Sequence, residues 1–195
     1  PYNFLLFKQM QKNLYLNQKF TKFINNENFE FDRSKILKIL NSDLLEDAYK
    51  TISKWQKYQP TPLESLNKLS NELKLKNIFY KDESKRFGLK SFKALGGAYA
   101  VEKITKGKKD IIVSTATAGN HGKSVAWGAK NLGLNCKIFI SENVSETRAE
   151  EMRNLNAEVI RVKGNYEDSL NFCKEESKKN NWEIIQDVAW PDYEL

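Results

Sequence analysis

Asp110-Ile111-Ile112-Val113-Ser114-Thr115-Ala116-Thr117-Ala118-Gly119-Asn120-His121-Gly122 decides the fold. Its apolar start reads as a buried strand over Asp110 to Ser114, and its small, hydroxyl-rich end leads straight into a helix. That helix runs from Asn120 to Leu132, with Gly133 as its C-terminal stop. Outward from this unit the pattern repeats. Cys136 to Ile140 is a strand, Glu146 to Asn154 a helix and Glu158 to Val162 a strand. Tyr166 to Lys179 is a helix and Trp182 to Gln186 a strand. Upstream, Asn77 to Lys81 is a short strand and Phe92 to Lys106 a helix. Strand and helix alternate roughly every 20 residues, which predicts an α/β fold, a three-layer parallel sheet with helices on both faces and right-handed crossovers. Ligands of such sheets collect at the carboxyl ends of the strands.

Residues 1–59 carry helical periodicity and are expected to form a helical N-terminal segment. Ser34 is expected to cap a helix over Lys35 to Leu40. Ser42 or Asp43 should start a second helix through Leu44, Leu45, Ala48 and Ile52. Pro60-Thr61-Pro62-Leu63 breaks the pattern, since each proline disfavours helix in the residue before it. Glu64 to Lys74 reads as a helix with Leu66, Leu69 and Leu73 on one face.

The chain has 195 residues, 40% of them hydrophobic and 12% aromatic, enough for a core and incompatible with a mostly disordered chain. No stretch approaches the roughly 20 apolar residues of a spanning helix, so no membrane is expected as a partner. Thirty-two basic against 25 acidic residues give a net charge of +7. The lysines are scattered, the longest basic run is Lys106-Gly107-Lys108-Lys109, and no element carries a basic-aromatic stripe. Nucleic acid is therefore not an expected partner. Cys136 and Cys173 form no C-x-x-C pair and read as small buried side chains in a reducing compartment, which predicts a cytoplasmic protein. His121 is the sole histidine, so a zinc site of the usual kind lacks donors and no metal is expected. Tyr2 to Phe7 is apolar but has no cleavage region, so it does not read as a secretory signal.

Two segments at strand ends carry candidate chemistry. In Ser91-Phe92-Lys93-Ala94-Leu95-Gly96-Gly97-Ala98-Tyr99, Lys93 lies in the opening turn of a small, apolar helix. The partial positive charge of a helix N-terminus, with local desolvation, favours a neutral amine that attacks an aldehyde. The alternative is a lysine that reaches out to solvent. In the second segment, Ser114 to Gly122, small residues let backbone approach a ligand, and free N–H groups suit a carboxylate. The hydroxyls of Thr115 and Thr117 add donors, and Asn120 can bond a phenolic oxygen. The alternative is an ordinary strand-to-helix turn with a capping Asn or Thr. The stretch is neither a Walker loop nor G-x-G-x-x-G. His121 reads as a supporting residue rather than a base.

Together the two segments resemble fold-type II pyridoxal-phosphate enzymes, the group of threonine dehydratases. Ser91-Phe92-Lys93 is similar to that group's cofactor-lysine motif, Ala118-Gly119-Asn120-His121 to its substrate-carboxylate loop, and Thr61-Pro62-Leu63 to its entry segment. Lys81 to Leu89 running into Ser91 to Ala100 resembles the signature of the diaminopropionate ammonia-lyase family. So do Gly119 to Gly122 with Val125-Ala126-Trp127, Asn165 to Asp168, Trp182-Glu183, Gln186-Asp187 and Ala189-Trp190. The likeness covers roughly residues 58–195.

The resemblance implies pyridoxal 5'-phosphate as cofactor, held by Lys93 and contacted by Asn120. It implies α,β-elimination of 2,3-diaminopropionate to pyruvate and ammonia, with Lys93 moving the α-proton. Thr115, Thr117, Ala118 and Gly119 would meet the substrate, and Asp187 would accept its second amine. Ala118 stands where the family usually has an acidic residue, and alanine can neither give nor take a proton. If that acid serves the D-enantiomer, this chain acts on L substrates. The Ala118 loop is also similar to that of a threonine dehydratase, so a threonine or serine dehydratase-like lyase is the alternative substrate reading. A non-catalytic remnant of the fold is the alternative outside enzymes. The family's glycine-rich phosphate loop has no counterpart in these 195 residues. Residues 60–195 are thus expected to be the first part of the catalytic region, its C-terminal half absent, in a fragment of a longer enzyme. The family also implies a homodimer.

Overall fold

The structure, a computed structural model, describes residues 32–191 and Tyr193. The chain divides into two compact units between Asn41 and Ser42. In the first, one helix is described, α1 (Arg33–Ile39). Asp32 caps it rather than Ser34: the Asp32 carboxylate accepts from the Ser34 and Lys35 N–H groups and from the Ser34 hydroxyl. A charged acceptor two residues upstream outcompetes the serine for the same free N–H groups. The helical reading before residue 32, and the Tyr2 to Phe7 run, lie outside the described residues.

The second unit opens with α2 (Ser42–Ile52), as its Ser-Asp start predicts. After the proline break, β1 (Leu63–Ser65) and β2 (Phe79–Lys81) pair antiparallel, with Glu64 opposite Tyr80. Between them α3 spans only Asn67–Glu72. The helix expected over Glu64 to Lys74 is therefore wrong at its start. Leu69 and Leu73 stay exposed, so the leucine stripe buries little and the ladder takes Glu64 instead.

Arg86, buried beside this pair, is held on three sides. Its Nε donates to Glu83 Oε2 at 2.8 Å, Nη2 to Thr61 Oγ1 at 3.0 Å and Nη1 to the Gln59 carbonyl at 3.1 Å. That network fixes the entry segment to the residues before α4 (Lys93–Thr105).

Beyond α4 the chain builds the main sheet. β3 (Ile112–Ala116), α5 (Asn120–Leu132), β4 (Asn135–Ser141), α6 (Glu146–Arg153), β5 (Ala157–Val162), α7 (Tyr166–Asn180) and β6 (Glu183–Ile184) follow in turn. The strand order is β5-β4-β3-β6, and every pair is parallel. Alternation along the strands separates two cores. Cys136, Ile138 and Ile140 pack with Val101 of α4, Val125 and Ala129 of α5 and Met152 of α6. Phe139 and Ala116 face the other way, against Leu170 and Cys173 of α7. Helices thus cover both faces, and the three-layer arrangement stands. Burial pushes the Cys136 thiol up to about 12 and the Cys173 thiol up to about 11, so both are inert packing groups.

Two glycines let α4 and α5 approach closely. A Cβ at Gly97 would lie 2.5 Å from Ser124 Oγ, and one at Gly128 would lie 2.8 Å from Ala98 Cα. Gly133, at φ 70°, closes α5 in the left-handed cap its position predicts. β6 is shorter than the expected Trp182 to Gln186. Its ladder ends when Ile185 N–H donates to the Ser114 carbonyl, and the Gln186 N–H turns to the Tyr193 hydroxyl. Among the described residues no helix is long and apolar enough to cross a membrane.

Candidate active site

The order of the strands locates the site. From β3 the chain moves out through β4 to β5, then returns through α7 to β6 on the other side of β3. The connections on the two sides of β3 lie on opposite faces, which opens a crevice at its carboxyl end. The Thr117–Gly119 loop follows β3 at this crevice, and Gln186 and Asp187 follow β6 there. The first residue of α4, Lys93, reaches the same place.

Lys93 Nζ donates to Asp187 Oδ2 at 2.5 Å. The two side chains are 42% and 33% exposed, so the pair lies at the mouth of the crevice, open to a ligand. Burial acts to raise the Asp187 carboxyl. The hydrogen bond and positive charge of Lys93, with the nearby His121 ring, outweigh it, and the net result lies below the usual carboxylate range. His121 is buried, and its Nε2 lies 2.8 Å from the Ile185 carbonyl. A carbonyl only accepts, so Nε2 carries the proton. Burial pushes the imidazole below its ordinary value, against the carbonyl and Asp187, which keeps it neutral. Through that bond it braces the residues after β6.

The loop residues divide by what they touch. Thr115 is fully buried, and its hydroxyl donates to Gln186 Oε1 at 2.8 Å, so it holds the protein together and does not face a ligand. Thr117 is nearly buried, and its Oγ1 accepts the Gly119 N–H at 3.4 Å. A Cβ built on Gly119 would meet no atom within 4 Å, so this backbone faces open space. Asn120 is exposed at the start of α5. Cavities of about 540 Å³ and about 300 Å³ both reach Ala118 and share Arg148, the first also reaching Tyr166 and the second Lys123. Among the described residues no cluster of His, Cys, Asp or Glu could hold a metal.

The chemistry of the residues present fits an aldehyde-bearing, aromatic cofactor: Lys93 supplies an accessible amine, Gly119 an open backbone turn and Asn120 an exposed amide, although the cavities that reach Ala118 are lined by neither Lys93 nor Asp187. The sequence assigned no role to Tyr166, whose hydroxyl accepts from Gln186 Nε2, or to Arg148. Only a shared motif marked Tyr166, and nothing local marked Arg148.

A family profile described as "Pyridoxal-phosphate dependent enzyme" matches residues 54–193. The chain belongs to this family. Diaminopropionate ammonia-lyase of Escherichia coli K12 is 38% identical over 154 residues, covering 70% of this chain and 39% of that protein. The protein of the same name from Salmonella typhimurium LT2 is 34% identical over 192 residues, covering 87% and 48%. The crystal structure of the E. coli ammonia lyase in apo form superposes with a TM-score of 0.75 at 35% identity, over 78% of this chain and 46% of that one. Its complex with D-serine superposes at 0.74 and 34% identity, over 78% and 44%. The chain thus spans less than half the length of these relatives.

Proposed function

We propose that this family member takes part in pyridoxal-phosphate-dependent α,β-elimination of 2,3-diaminopropionate, releasing pyruvate and ammonia. The observation that carries the reading is the contact between Lys93 and Asp187. An amine able to hold an aldehyde lies beside a carboxylate able to accept a second amine.

When bound, the cofactor supplies a carbonyl for amines to condense with and a conjugated ring that spreads negative charge from Cα. This chain's residues do the rest. Lys93 would hold the cofactor through its amine, and the same amine, when free, would take the α-proton. The open backbone around Ala118 and Gly119, with the free N–H groups at the start of α5, orients the substrate carboxylate. Asn120 would hold the ring oxygen. Asp187, ionised and freed of Lys93, accepts the β-ammonium group, whose departure as ammonia completes the elimination. Thr117 shapes the loop, and Thr115 acts only through the protein interior. Residues 60–195 supply part of the catalytic region. The working form is a cytoplasmic homodimer.

Ala118 supplies no acid on its side of the crevice, so the reading includes preference for the L-isomer. A similar protein forms a complex with D-serine, which makes stereochemistry the decisive comparison. Ala118 also favours a second reading, a threonine or serine dehydratase-like elimination in which a hydroxyl leaves.

The test is addition of pyridoxal phosphate followed by L- and D-2,3-diaminopropionate, L-serine and L-threonine, with visible absorbance, ammonia and 2-oxoacid recorded. A visible band that Lys93→Ala abolishes, with turnover of the L-diamine, is expected. Equal rates for the two enantiomers defeat L-selectivity. Faster turnover of the hydroxy amino acids selects the second reading. Absence of any band overturns both.

A further inference from the structure

The geometry points to Gln186 as a positioning residue that couples the β3 loop to Asp187 and so sets the contact between Asp187 and Lys93. This deepens the proposed function and rests on it for the meaning of that contact.

In a parallel strand, alternate residues turn their N–H and C=O groups to opposite neighbours. Thr117 N–H donates to Phe139 of β4, and Ser114 C=O accepts from Ile185 on the β6 side. Ala116 therefore turns both its groups to the β6 side, where the ladder has already ended. Unpaired there, two polar groups of a fully buried residue would be left without a hydrogen-bond partner, which destabilises the fold. The Gln186 side chain satisfies both. Its Oε1 accepts the Ala116 N–H at 3.1 Å, and its Nε2 donates to the Ala116 carbonyl at 2.7 Å. One primary amide thus replaces the missing rung of the sheet.

The same amide has two more partners. Oε1 accepts from the Thr115 hydroxyl at 2.8 Å, and Nε2 donates to the Tyr166 hydroxyl at 2.9 Å. On the backbone side, Gln186 N–H donates to the Tyr193 hydroxyl at 2.6 Å. A side chain bonded to β3 and α7, on a backbone bonded to Tyr193, leaves residue 186 one position. The next residue is Asp187, so its carboxylate inherits that position relative to the loop and to Lys93. The charged and titratable groups around Asp187 are Lys93 from α4, His121 from α5, Tyr166 from α7, and Tyr193.

The test uses the cofactor-free chain, so it is separate from cofactor capture. Gln186→Ala, Thr115→Val and Tyr166→Phe are compared with the parent by carboxyl NMR titration of Asp187 and by amide hydrogen exchange. In Gln186→Ala, exchange at the Ala116 amide should rise roughly tenfold as its acceptor is lost. The Asp187 midpoint should move up toward the ordinary aspartate value as the carboxylate leaves Lys93. Thr115→Val and Tyr166→Phe should move it the same way by less, and they decide the matter if Gln186→Ala does not fold. Faster Ala116 exchange with an unmoved Asp187 midpoint means that Gln186 merely closes the sheet, and overturns the inference. So do Thr115→Val and Tyr166→Phe proteins whose Asp187 titrates as in the parent. If these variants behave as expected while pyridoxal phosphate gives no visible band, the proposed function fails and the positioning role survives.

Discussion

Lys93 Nζ lies 2.5 Å from Asp187 Oδ2, although 94 positions separate the two residues in the chain. The parallel sheet causes the meeting. β3 carries the loop at the crevice, β6 returns beside it, and α4 starts at the same rim. Under the proposed function the contact ties up the amine that would attack the cofactor, so cofactor loading would have to part the pair.

Replacing Asp187 by asparagine tests that competition. The pair is partly exposed, so its worth is about 0.2–1 kcal/mol, and its loss should speed capture of pyridoxal phosphate by about 1.4- to fivefold. The same variant should lose turnover of the diamine, because no carboxylate remains for the second amine. Stopped-flow growth of the visible band measures the first effect and ammonia release the second. Unchanged capture together with unchanged turnover would remove Asp187 from the site.

Glu83 gives a pH prediction. The side-chain hydrogen bond from Arg86 holds the Glu83 carboxyl below its ordinary value, against burial and with help from Thr61. The folded state thus prefers the charged form. Its stabilising contribution is complete above the unfolded glutamate value, about 4.3, and is lost as pH falls through the lower folded value. Glu83→Gln leaves the buried Arg86 without its counter-ion and should cost about 3 kcal/mol at pH 7. Urea unfolding at pH 7 and at pH 3 checks both statements. The difference between parent and variant should shrink at the lower pH; a constant difference contradicts the account.

Much of this architecture is legible in the sequence, and the rest fails for identifiable reasons. The unit from Ile112 to Ser141 is readable because an apolar strand, a helix stopped by Gly133 and a second apolar strand each carry a local signal. Asp32 displaced Ser34 as a cap because both residues suit the role and only geometry ranks them. The leucines at 66, 69 and 73 keep helical spacing, yet spacing says nothing about whether a core lies opposite. At the site, Lys93 and the Thr117–Asn120 loop are legible because they sit where a strand or helix begins or ends. The duty of Thr115 is not, since its partner Gln186 lies 71 positions away. The hydroxyl that looked like a ligand donor is committed inside the protein.

Three glycines separate packing from propensity. Ala98 backbone blocks a Cβ at Gly128, so Gly128→Ala must push α4 from α5, at about 1–3 kcal/mol. A Cβ on Gly97 meets the Ser124 side chain, which has little room to yield, and a cost of similar size is expected. Gly96, beside it in α4, meets nothing within 4 Å. Gly96→Ala should therefore stabilise the protein by about 0.5–1 kcal/mol through helix propensity. Thermal unfolding ranks the three variants. A destabilising Gly96→Ala would show that α4 is covered where the structure leaves it open.

Ala118 offers the sharpest change of chemistry. It precedes Gly119, lies beside two cavities and has Lys123 and Arg148 among its cavity neighbours. Lys123 is already paired with Glu151, which also lines that cavity, so a carboxylate placed here would be favoured in its ionised form chiefly by Arg148. Under the proposed function Ala118→Asp would thus add a base opposite Lys93, where the α-proton of a D-amino acid would lie with the carboxylate and amine held as for the L-isomer. General base catalysis contributes about 10²–10⁴-fold, so turnover of D-2,3-diaminopropionate should rise at least about tenfold. Turnover of the L-isomer depends on Lys93 and should change by far less. Ammonia release from each enantiomer, at matched cofactor content judged by absorbance, gives the comparison. A variant that loads cofactor and turns over the L-isomer, yet gains nothing with the D-isomer, means that position 118 does not face the reacting carbon.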